Sequence, residues 1–157
     1  MITRLTHLVC TLTLALSAAA AWSTDVPQHK TVNGIDVFYG VVPANIVQAH
    51  IREHGATPMH RKSFFARDLQ HLVVTLYDAK TAQRISDASV SATITPLGMN
   101  PQTKNLEVMK IDDTISYGNY FSMPPGDTRY RIAVSIKRPS DHMPAKAEFE
   151  YRHASSR

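Results

Sequence analysis

The 157-residue chain has one cysteine, six glycines and one tryptophan, and no long apolar run outside its amino-terminal end. Each shortage excludes something. Cys10 lies inside a segment that reads as a secretory leader, so the processed chain would hold no thiol, and internal disulfides, cysteine nucleophiles and thiolate metal sites are excluded together. With so few glycines there is no phosphate-cradling loop and no GxSxG elbow for a nucleophilic serine. After the leader no stretch approaches the roughly 20 apolar residues of a spanning helix, so no membrane span is expected. Basic residues exceed acidic ones by only 17 to 13, and the longest basic run is Arg61-Lys62. A positive excess this small and this dispersed gives no reason to expect nucleic acid.

What is present begins with the leader. Arg4 precedes the apolar run Leu8 to Leu16, and small residues follow at Ala19-Ala20-Ala21 and Ser23. Residues 1–23 are therefore expected to be cleaved, leaving a periplasmic or secreted protein. Cys10 stands within the apolar run and not after a small-residue motif, so lipid anchoring is not expected. The processed chain divides into an arm at 24–30, one domain at 31–153 and a tail at 154–157; its length allows a core without staples and does not allow two domains.

Alternation then sets the fold class. Val32 to Val41 reads as a strand or hairpin around the Asn33-Gly34 turn, and Pro43 could open a short helix over 44–50. Residues 54–68 have no period and read as a long loop, the kind of segment in which function concentrates. From there strands follow at Leu72 to Tyr77, Ala88 to Ile94, Asn105 to Ile111, Tyr117 to Met123, Tyr130 to Lys137 and Ala145 to Arg152. In the penultimate one Tyr130, Ile132, Val134 and Ile136 alternate with Arg131, Ala133, Ser135 and Lys137. About seven strands with this punctuation predict an all-β, Ig-like antiparallel sandwich.

Three stretches carry a family resemblance. Gln70 to Asp78, followed by Arg84-Ile85-Ser86-Asp87-Ala88-Ser89-Val90, is similar to the opening of exported Ig-like domains of the YtkA-like and FixH-like type. Pro125-Gly126-Asp127-Thr128-Arg129-Tyr130-Arg131-Ile132-Ala133-Val134 resembles the PGxYxIxV segment of such domains, with Ala82-Gln83 standing where a turn glycine is commoner. The resemblance implies a sandwich in which Tyr130 anchors a corner through its hydroxyl. More remotely the chain resembles periplasmic sandwiches that handle copper and iron, which implies metal handling.

Histidine and methionine are the residues that fit such a role, because imidazole and thioether together suit copper, Cu(I) above all. The candidates are His54, Met59 and His60 in the long loop, His71 at the start of a central strand, Met109 and Met123 near strand ends, and His153 after the last strand. Glu53 could add an oxygen donor for iron, the alternative metal, and His142-Met143 forms a second, isolated pair. The plain competing reading is that the methionines fill the core and the histidines are separate surface groups. No compact metal motif is present. Catalysis is not expected, since Asp112-Asp113 point to opposite faces and the serines of 86–91 lie beside a regular strand. The rival reading is a non-catalytic accessory module that docks on an envelope protein through residues 54–68, with Phe64-Phe65 as its apolar contact.

Overall fold

A computed structural model describes residues 28–47, 68–111, 114–124, 126 and 128–152. Eight strands run β1 (His29–Val32), β2 (Ile35–Pro43), β3 (Leu69–Asp78), β4 (Ser89–Pro96), β5 (Gln102–Ile111), β6 (Thr114–Ser122), β7 (Arg129–Lys137) and β8 (Ala145–Arg152). Every pairing is antiparallel, and the order across the sheet is β1-β2-β3-β6-β5-β4-β7-β8. The all-β class is as the alternation predicts, and the strand count rises to eight because the first segment is a hairpin. Its turn is Asn33-Gly34, with φ of 48° and 75°, the left-handed pair that a two-residue hairpin needs to match strand twist.

β5 bends the sheet into two layers. Its first half pairs with β4 (Val90 with Leu106 through Ile94 with Gln102), while its second half pairs with β6 (Glu107 with Gly118 through Ile111 with Thr114). One layer is thus β1-β2-β3-β6 and the end of β5; the other is the start of β5 with β4-β7-β8. The remaining edges approach each other. Tyr39 Oη donates to Glu150 O of β8 at 3.1 Å, and Lys30 Nζ of β1 lies 5.6 Å from the centre of the Phe149 ring.

Between the layers sit Ile35, Val37, Leu72, Val74, Leu76, Ile94, Ile132 and Ile136, all fully buried, each alternating along its strand with a residue facing away. Two tyrosines bring hydroxyls into this apolar space and satisfy them there. Tyr130 Oη donates to Pro124 O at 3.0 Å, the corner anchor that the family resemblance implies. Tyr117 Oη accepts from Ala88 N–H at 3.1 Å and donates to Ile85 O at 3.3 Å, tying β6 to the segment before β4. Residues 44–47 form a helical turn after Pro43; the rest of the predicted helix, 48–50, lies outside the described residues. No helix among the described residues is long and apolar enough to cross a membrane.

Candidate metal centre

The face of β3 that turns away from the core carries the site. Leu72, Val74 and Leu76 enter the core, so His71, Val73, Thr75 and Tyr77 stand on the opposite side. On β6 Tyr117 and Phe121 are core residues, and the period of two along a strand sends Gly118 and Tyr120 to the outer side. Register completes the arrangement. His71 lies directly across from Tyr120, Val73 from Gly118, Glu107 of β5 from the other side of Gly118, and Met109 from Ser116. His71 and Met109 are therefore diagonal neighbours of Gly118, one from each flanking strand.

Both side chains lean over that glycine. A Cβ placed on Gly118 would stand 2.7 Å from Met109 Sδ and 2.8 Å from His71 Nε2. The two donor atoms are thus at most 5.5 Å apart, the two distances added. Imidazole and thioether bonds of about 2.0 Å and 2.3 Å placed end to end span roughly 4.3 Å, so one ion could engage both after an adjustment of at most about an ångström. The Tyr120 ring packs on His71 from the other side, with centroids 4.6 Å apart and planes tilted by 38°. Although all three residues face away from the core they are nearly inaccessible: His71 is 2% exposed, Tyr120 6% and Met109 7%. Burial pushes the Tyr120 phenol above its ordinary value. Beside Met109, Ser116 and Thr75 share a hydroxyl hydrogen bond of 3.2 Å.

The donor set suits a soft ion: one thioether and one imidazole, both neutral when ligating, in surroundings that exclude most water. Among the described residues no group of three or more His, Cys, Asp or Glu converges, so a harder carboxylate and histidine cage is not present there. Of the residues singled out from the sequence, the structure brings His71 and Met109 together. Met123 is fully buried among the core residues between the layers, where its thioether fills space away from His71. His54, Met59, His60 and His153 lie outside the described residues, as do Glu53, Phe64-Phe65 and Asp112-Asp113. Met143 is 79% exposed beside His142 in the turn between β7 and β8. Sequence reasoning did not single out Gly118. The signal was available, because period-two alternation sets Gly118 beside Tyr120 on the outer face, where a missing side chain leaves space.

No family model matches the chain, and no curated protein does. Solved structures do match. A copper-bound variant of FetP from uropathogenic Escherichia coli strain F11 superposes with a TM-score of 0.62 at 14% identity, covering 83% of this chain and 97% of that one. A copper-bound variant of Campylobacter jejuni P19 gives 0.59 at 12% identity, covering 84% and 98%. A DUF4426 family protein from Pseudomonas aeruginosa PAO1 gives 0.58 at 14% identity, covering 83% and 96%. At these identities the likeness establishes the fold over nearly the whole length of each neighbour. It bears out the remoter resemblance to copper-binding sandwiches and lends no support to the YtkA-like and FixH-like type.

Proposed function

We propose that the protein is a metal-handling protein of the bacterial envelope that carries copper, with His71 and Met109 as ligands and without catalysis of its own. The observation that carries this reading is the approach of Met109 Sδ and His71 Nε2 over Gly118. Copper bound to two solved relatives of the same fold, and the secretory grammar of residues 1–23, support it from outside the site. Thioether with imidazole favours Cu(I) over Cu(II), which prefers a square of nitrogen and oxygen donors; iron, a harder ion, is the weaker alternative. His54, Met59, His60 and His153 are the sequence candidates for any further donor.

The reading is tested by titrating the processed protein with Cu(I) against a chromophoric chelator under anaerobic conditions. One equivalent bound more tightly than micromolar is expected. Met109→Leu keeps volume and apolarity while removing sulfur, and His71→Phe keeps a flat ring without nitrogen. Each should weaken binding by at least the roughly 10–100-fold that losing even a supporting group costs a metal site. Binding also requires a deprotonated imidazole, so affinity should fall as the solution is acidified. No stoichiometric uptake tighter than micromolar would sink the proposal.

A further inference from the structure

We infer that Gly118 is the residue that decides whether the site can admit an ion, because the absence of its side chain is what leaves room between the two donors. This rests on the copper reading and extends it to a residue that supplies no ligand. Cβ atoms almost never approach a non-bonded heavy atom closer than 3.0 Å, yet one on Gly118 would meet Met109 Sδ at 2.7 Å, His71 Nε2 at 2.8 Å and His71 Cε1 at 3.0 Å. All three are ends of side chains and none is backbone, so an added methyl can be accommodated by swinging those ends aside. The strand itself need not move. Backbone conformation gives no independent reason for glycine here: among the described residues the positive-φ glycines are Gly34, Gly98 and Gly126, and Gly118 sits in regular β6 between Tyr117 and Asn119. Tyr120 packs on the imidazole and narrows its freedom to retreat, so the displaced groups would lose the convergence a shared ion needs.

The alanine variant should therefore fold and fail to bind. Wild-type, Met109→Leu and Gly118→Ala proteins are titrated with Cu(I), with thermal unfolding as the control for folding and the 13C-labelled methionine methyl spectrum as a second readout. A folded Gly118→Ala protein whose affinity drops by about 10–100-fold or more, and whose Met109 methyl no longer shifts on Cu(I) addition, is the expected result. A Gly118→Ala protein that binds like the wild type while Met109→Leu does not would overturn this inference and leave the copper reading standing. A wild-type protein that takes up no Cu(I) would remove both. Should Gly118→Ala not fold, Met109→Ala and Met109→Ala/Gly118→Ala are compared with dimethyl sulfide supplied as an external thioether. Rescue of the single variant alone is expected; equal rescue of both would refute the steric role.

Discussion

Tyr117 shows how much one side chain can hold. Its ring is buried in the core, and its hydroxyl serves Ala88 N–H and Ile85 O at once, far from either in sequence. Tyr117→Phe keeps the ring and leaves that amide without its acceptor, which should cost about 1–3 kcal/mol. The check is urea unfolding, in which the midpoint falls while the slope stays constant. At this scale the sequence was informative about residue type and poor about neighbourhood. His71 and Met109 are legible as donors from their chemistry, but 37 intervening positions separate them and only strand register sets them diagonal to Gly118. Met123 carries the same chemistry as Met109 and lies in the core, a distinction that requires knowing which way each strand faces.

The hairpin of β1 and β2 is an element that its turn specifies. Gly34 has φ of 75° and nothing within 4 Å of where a Cβ would be, so a β-branched residue there meets conformational strain and no clash. Gly34→Val should lower stability by about 1–2 kcal/mol, the cost of a left-handed L-residue. Gly40→Ala, in equally open space and without a positive φ, should stay within about 0.5 kcal/mol of wild type. Thermal unfolding of the two variants side by side makes the comparison. Strands β4, β7 and β8 were readable nearly to their ends because each buries one face, which writes a period of two into the residues. The split partnership of β5 was not readable. Its two halves differ in which strand they join, and alternation encodes facing, not pairing.

For the whole molecule, five tyrosines (Tyr39, Tyr117, Tyr120, Tyr130 and Tyr151) have phenols raised above the ordinary value, burial being the first cause in each. The folded chain then holds protons that the unfolded chain gives up from about pH 10. The stabilisation is complete below that value and is lost as pH rises through the folded-state values. Denaturant midpoints measured from about pH 8 to 11 should fall over the upper part of that range. Carboxylates act in the opposite sense on the acid side. A hydroxyl bond from Thr31 lowers Asp36, backbone N–H groups of Thr81 and Lys80 lower Asp78, and the Arg138 guanidinium lowers Asp141. Their contribution is present above about pH 4 and disappears as pH drops further, and all three are exposed enough for the effect to be small.

The meeting of the first and last strands has its own consequence. Raw strand margins are where foreign chains attach and fibres start to grow. Here the two margins face one another, and the Tyr39 hydroxyl already occupies a carbonyl of β8 that an intruder would seek. Lys146, Glu148, Glu150 and Arg152 stud the same strand with charge that would have to be matched or buried. Copies of the folded protein should not pair edge to edge through β8.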